Sequence, residues 1–317
     1  MTQTPPLSIV LHDTVRNLSA ALAATSLPAL EQQREIHGLT PQAQAVLRYM
    51  ATFRRHPAIQ YLQGQISAGQ PLSSLFAAAL FNHSADPAAA TLIGHLTNID
   101  TAANLSSLWH MQAEAWRDAE SAVRQHLHGV DLAGRMARFF GDTLKHYQVL
   151  PNLLFPSNQV VYFRAGPQAA CLLPPRKAVG ESPPWPFSDD REYVLKVTAF
   201  HYALLAFDAF LDAHPALAPD LQNRRAAEHL PDSFRSRYPT WREQLAALLG
   251  IAVTAQFLNE VESGAGDAYL LFERRAHQLP YLKQIAQLID AYLTLQQRAV
   301  HHDLSTYLPY LIQQLTV

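Results

Sequence analysis

One stretch constrains the fold more than any other. From Tyr193 to Leu211 the chain reads as a helix without a polar face, because Val194, Leu195, Val197, Phe200, Leu204, Leu205, Phe207, Phe210 and Leu211 fall on all of its sides. Such a helix has to be covered by other elements around most of its circumference. The rest of the chain must supply that cover, and its composition permits it. Of 317 residues, 49% are hydrophobic and 16% charged, the balance of a globular chain rather than a disordered one. This length allows two or three small domains, or one large domain with a helical appendage.

The residues before position 150 are read as helical after a loose tail at 1–7. Apolar spacing predicts a helix from Leu11 to Leu30, ending before Pro28 or soon after it. Thr40-Pro41 opens the next, with Thr as N-cap and Pro where its missing N–H costs nothing. Arg55-His56-Pro57 closes it, since a residue preceding Pro avoids the helical region. Two short helices, Ile59 to Ile66 and Leu72 to Phe81, lead to a turn cluster at Asn82 to Pro87. A long helical stretch from Leu92 to Leu127 breaks near Asp100 or Asn104, and Asp131 to Tyr147 forms another helix.

The pattern then changes. Gln159 to Arg164 and Ala169 to Leu173 read as a strand–turn–strand pair around Gly166-Pro167. Pro174 to Asp190 is an irregular, Pro-rich loop: a lid, a partner-binding segment or a surface excursion. After the buried helix, residues 220–239 form a linker with one helical turn. Helices follow from Thr240 to about Asn259, from Tyr281 to Val300, and from Ser305 to Leu315, the last kinked or started at Pro309. The fold class is α+β, predominantly α-helical. A small β-sheet precedes a buried central helix, and the chain divides into 1–150 and 151–317 or forms one continuous domain.

Charge and cysteine usage narrow the function. With a net charge of -2 and only short basic pairs such as Arg224-Arg225, no basic stripe exists to neutralise phosphates, so nucleic acid is not expected as a partner. The single cysteine, Cys171, permits neither an intrachain disulfide nor a cysteine-based zinc site. No apolar signal segment opens the sequence, and no run of about 18 consecutive apolar residues occurs. The expectation is a cytoplasmic protein without a membrane span and without a cofactor.

The candidate chemistry centres on His201. Zinc peptidases place two histidines at i and i+4 on one helix face, with a Glu directly after the first. In His201-Tyr202-Ala203-Leu204-Leu205 the first ligand is present, Tyr202 stands at the base position and Leu205 at the second-ligand position. Tyrosine with an ordinary pKa near about 10 is a poor base, and leucine binds no metal. A structural histidine with a hydrogen-bonded partner is the commoner explanation of such a residue. Asp208 lies about 10 Å along the axis from it, too far to share a metal, and Asp212 is read as solvated near the helix end. Glu243 is either an acidic ligand from a second helix or the distal half of a capping box with Thr240. His301-His302-Asp303 and His126-Leu127-His128 lack the i, i+4 spacing. No phosphate loop, dinucleotide fingerprint or Gly-x-Ser-x-Gly elbow occurs.

The order of these pieces resembles the zincin-like (gluzincin-type) metallopeptidase domains of bacteria. Four stretches carry the likeness: Phe53-Arg54-Arg55-His56-Pro57-Ala58-Ile59, the two strands, Ala199 to Leu205, and Tyr281 to Leu315 with its closing Tyr307-Leu308-Pro309. The resemblance implies a zincin-like core in which the helix bearing His201 is the metal-binding helix. His201 then keeps the first ligand position, Tyr202 replaces the base, Leu205 replaces the second ligand, and Glu243 is the candidate for the acidic ligand. A zinc-bound water would lack both coordination and base. The implied function is a catalytically inactive homologue, without metal, that binds a peptide or protein partner. Two readings stand beside it: a helical scaffold or adaptor unrelated to peptidases, whose Pro-rich loop docks a partner, and an enzyme of another type using His201 or Tyr202 with Asp208 or Glu243.

Overall fold

The computed structural model describes residues 7–81, 86–217, 225–297 and 303–315. The protein is mostly helical around a small mixed sheet, as the composition and spacing predict. Strands β1 (Leu7–Ile9), β2 (His146–Pro151), β3 (Val161–Ala165) and β4 (Gln168–Leu173) lie in the order β1-β2-β4-β3. The first three neighbours in that order run parallel, and β3 pairs antiparallel with β4 across the two-residue turn Gly166-Pro167. Gly166 has φ +56°, the left-handed region that such a turn needs and that glycine adopts without a Cβ penalty.

Among the described residues, nine α-helices run between β1 and β2: α1 (Asp13–Leu22), α2 (Leu27–Arg34), α3 (Pro41–Met50), α4 (Pro57–Ser67), α5 (Leu72–Phe81), α6 (Pro87–Ala103), α7 (Leu105–Met111), α8 (Ala113–Leu127) and α9 (Leu132–Phe140). After β4 come α10 (Arg191–Ala213), α11 (Asp232–Arg237), α12 (Trp241–Val261), α13 (Ala265–His277), α14 (Leu282–Gln297) and α15 (Leu304–Gln314). Parallel strands buried on both faces read as continuous apolar runs, and Ala169 to Leu173 of β4 is fully buried in that way. Residues paired across a ladder share a face. One face, with Tyr147, Tyr162, Arg164 and Cys171, meets α10; the other, with Phe163, packs on Phe76 and Phe81 of α5. Helix α12 then covers α10 from the far side, so α10 is enclosed as its sequence requires. The sheet joins strands from both sides of residue 150, and one continuous apolar core runs through it.

Several boundaries differ from the sequence expectation. Leu7 begins a strand rather than ending a tail; residues 1–6 lie outside the described residues. The stretch Leu11 to Leu30 is two helices, because Pro28 sits in the first turn of α2 rather than at an end. The helix expected from Asp131 to Tyr147 stops at Phe140, where Gly141 turns with φ +74°, and His146–Pro151 is a strand. The predicted break at Asn104 is present in left-handed geometry, and a second break follows at Gln112. The linker at 220–239 contains α11, and Pro309 lies inside α15 rather than opening it. The turn cluster at 82–85 and the linker's residues 220–224 lie outside the described residues.

Helices α10 and α12 are each long and apolar enough to cross a bilayer by length and mean hydropathy, a property that a search for unbroken apolar runs overlooks. Of their most apolar windows, 83% and 78% of residues are buried inside the protein, the situation of core helices.

Candidate functional site

A cavity of about 750 Å³ opens between α10, the approach to β3, the start of the Pro-rich loop, α11 and α13. That volume lies in the range of small-molecule and cofactor pockets. Helix α10 supplies Tyr193, Lys196, Val197, Phe200 and His201 to its wall; α11 and the residue after it supply Arg237 and Tyr238; α13 supplies Tyr269, Glu273 and His277.

His201 is 8% exposed, and its ring contacts Tyr162 at 4.8 Å and Phe200 at 5.1 Å between centroids. Its Nδ1 lies 2.8 Å from the carbonyl of Val197, one turn earlier in the same helix. A carbonyl only accepts, so Nδ1 carries the proton and donates it. In the neutral ring Nε2 is then an acceptor. Nε2 has no partner among the described residues and is not sealed in, so it reaches the cavity. Burial, opposed by the Val197 bond and reinforced by the Arg237 charge, pushes the imidazole down to about 4. The ring is therefore neutral at physiological pH.

The other positions of the predicted site do not join it. Tyr202 is 1% exposed and turns to the sheet, where its ring meets Tyr147 edge-on at 4.2 Å; burial raises its hydroxyl, the opposite of what a base requires. Leu205 is buried in the core. Glu243 accepts from the Thr240 N–H and from the Thr240 hydroxyl, both at 2.8 Å, while Thr240 accepts from the Glu243 N–H: the capping box is complete and Glu243 stays at the surface. Among the described residues, no group of three or more His, Cys, Asp or Glu side chains is arranged to hold a metal ion.

Asp208 and Asp212 are not free carboxylates. Arg164 of β3 and Arg242 of α12 each bridge both of them, with Arg164 Nε donating to Asp208 at 2.7 Å and Arg242 Nη2 to Asp212 at 2.9 Å. This quartet rivets the sheet, α10 and α12 together, and it corrects the view of Asp212 as merely solvated. His126 Nε2 contacts the carbonyl of Phe187 at 2.7 Å and pins the end of the Pro-rich loop to α8. His56 caps α4 by accepting from the Ala58 N–H. His301 and His302 lie outside the described residues, while Asp303 caps α15.

The Pro-rich loop is fixed rather than free. Tyr193 donates to the Pro174 carbonyl at 2.9 Å, Arg176 pairs with Asp190 at 2.7 Å, Lys177 pairs with Glu35, and the Gly38 N–H donates to the Gly180 carbonyl. Its first residues form one wall of the cavity.

Sequence reasoning did not single out Lys196, Arg237, Tyr238, Tyr269 or Glu273, which come from separate segments and carry no local motif. It also missed a buried polar cluster that joins α2 to the segment leading into β3. Ser157 Oγ lies 2.8 Å from Glu31 Oε2 and 2.8 Å from His37 Nε2, while His37 Nδ1 faces the Glu35 carbonyl at 2.9 Å. The hydroxyl has one proton and His37 Nδ1–H is committed to the carbonyl, so both contacts are satisfied only when Glu31 or His37 Nε2 carries one more proton. Burial raises the Glu31 carboxyl, against the hydrogen bonds from Ser157 and the charges of His37 and Arg34.

Neither a protein-family profile, a curated protein nor a solved structure matches the chain.

Proposed function

We propose that this chain is a non-hydrolytic binding protein of zincin-like build, and that the cavity beside His201 receives a peptide segment of a protein partner. One observation carries the reading. His201 offers an unprotonated, unpartnered Nε2 to a roomy cavity, while Tyr202, Leu205 and Glu243 are each occupied elsewhere. Hydrolysis through a zinc-bound water needs about three protein ligands and a base. Binding needs only a shaped cavity with a few fixed polar groups.

The pinned Pro-rich loop favours this reading over the scaffold alternative, because Pro174 to Lys177 act as cavity wall rather than as a free docking arm. The same reading takes the protein as cytoplasmic, which suits two long apolar helices buried inside the fold. The test joins metal analysis of the purified protein to a titration with a degenerate pool of N-acetylated hexapeptide amides, followed on the His201 imidazole signals by NMR. The expected result is no tightly bound metal and a saturable shift of His201. Stoichiometric zinc overturns the non-hydrolytic half, and His201 signals that stay unmoved throughout the titration overturn the binding half.

A further inference from the structure

The polar groups of the cavity are unequally divided between donors and acceptors. Four cations line it, Arg176, Lys177, Lys196 and Arg237, against one carboxylate, Glu273. Arg176 and Lys177 are already engaged by Asp190 and Glu35. Lys196 and Arg237 have no carboxylate within ion-pair distance among the described residues; Lys196 lies over the ring of Tyr269 at 5.7 Å and Arg237 over that of Tyr238 at 5.5 Å. Three phenol hydroxyls, those of Tyr162, Tyr238 and Tyr269, line the same space without a hydrogen-bond partner among the described residues. Each is an O–H donor at neutral pH, since burial raises all three.

Arg237 sits at the electrostatic centre of this group. Its charge acts on His201, Tyr162, Tyr238, Tyr269 and Glu273 alike. Glu273 offsets part of it, but that carboxyl is half-buried, is raised by desolvation and is shared with His277 at 3.4 Å. An exposed guanidinium and a half-buried ammonium among unpaired O–H donors are suited to an acceptor-rich anion, because charge-assisted hydrogen bonds are the stronger ones. Phe200 and Phe234 add apolar wall, while Asn158, Gln159 and Ser233 add neutral polar groups.

From these donors we infer that the peptide held in the cavity presents an anionic group, a carboxylate or a phosphate, to Arg237 and Lys196. The inference rests on the peptide-binding reading above and names the chemistry of its ligand. His201 Nε2, an acceptor, then faces a donor of the same ligand, such as a peptide N–H.

The test uses the full chain and four N-acetylated hexapeptide pools: terminal amide, terminal acid, amide with one fixed glutamate, and amide with one fixed phosphoserine. Dissociation constants are read from the His201 imidazole signals. At least one anionic pool is expected to bind about 10-fold more tightly than the neutral amide, and the preferred pool tells a chain terminus from a side chain or a phosphate. Arg237→Gln, at an exposed position that the fold tolerates, is expected to erase that preference, with Lys196→Gln reducing it. Neutral and anionic pools binding equally, or a preference untouched by Arg237→Gln and by the double variant, overturns the anionic assignment and leaves the peptide-binding reading standing. No shift with any pool overturns both.

Discussion

His201 provides a prediction whose size follows from its surroundings. Its imidazole would titrate near 6.5 in the unfolded chain, and burial holds it at about 4 in the folded one. Between those values the unfolded state binds the proton and the native state does not. Stability is therefore flat with respect to this group above pH 6.5 and is lost as the pH falls through the window from 6.5 to about 4. The full gap corresponds to about 3 kcal/mol, and about 2 kcal/mol of it is gone by pH 5. His201→Phe removes the titration while keeping a ring against Tyr162 and Phe200. Urea unfolding of both proteins at pH 8 and pH 5 isolates the term, because the other histidines and carboxylates are common to both. The wild type is expected to lose about 2 kcal/mol more than the variant between the two conditions. Equal losses would refute the reasoning, as would an NMR titration of the wild type placing His201 near 6.5.

Glu31 has the opposite linkage: its carboxyl is raised in the folded protein, so its contribution is present at low pH and is lost as the pH rises through the folded value. Relative to Glu31→Gln, the wild type is expected to lose stability from pH 5 to pH 8 in chemical denaturation; a gap independent of pH would count against the shared proton. In the quartet of Arg164, Asp208, Arg242 and Asp212, the carboxylates are about half exposed, so a double-mutant cycle on Arg164→Ala and Asp208→Ala should give a coupling below about 1 kcal/mol that shrinks in 1 M salt. Gly38→Ala would place a Cβ 1.9 Å from the Ser182 carbonyl oxygen, a backbone atom of the Pro-rich loop. It should release that loop, seen as faster proteolysis between Lys177 and Trp185 with the helical circular dichroism retained; unchanged cleavage would contradict the close approach.

What the sequence made legible was local. The enclosed helix α10 is readable because apolar residues on every side admit only a buried solution. The caps at Thr40 and Thr240 are readable because donor and acceptor lie within three residues of each other. The hairpin of β3 and β4 is readable because its β-branched and aromatic run meets Gly166-Pro167. By contrast, β2 continues an apparently helical spacing through Phe139, Phe140, Leu144 and Tyr147, and only its distant partners β1 and β4 make it a strand. The cavity was invisible for a related reason. His201 stands out in an apolar run, whereas Arg237, Tyr269 and Glu273 sit on polar helices where charge needs no explanation, and only tertiary packing brings them together.

The packing of α10 also explains why the residues that follow His201 supply neither a base nor a second metal ligand. Successive residues of a helix are turned by about 100°. With His201 facing the cavity, Tyr202 faces the sheet, where Tyr147 fills the adjoining space and donates to the Thr198 carbonyl at 3.2 Å. A glutamate at 202 would bring its carboxylate into that layer, where desolvation would cost several kcal/mol without a paired cation. The aromatic contact between strand and helix is thus incompatible with an ionised base at the same position. Leu205, on the His201 side but one turn on, is likewise absorbed by the core, so no second ligand stands beside His201 on that side of the helix. Its Nδ1–H is still oriented by a carbonyl, as the outer hydrogen bond of a metal-binding histidine would be. What that orientation accomplishes without further ligands is to hold one acceptor atom in a fixed direction among donors. A fixed acceptor of that kind is what the binding reading proposed above calls for.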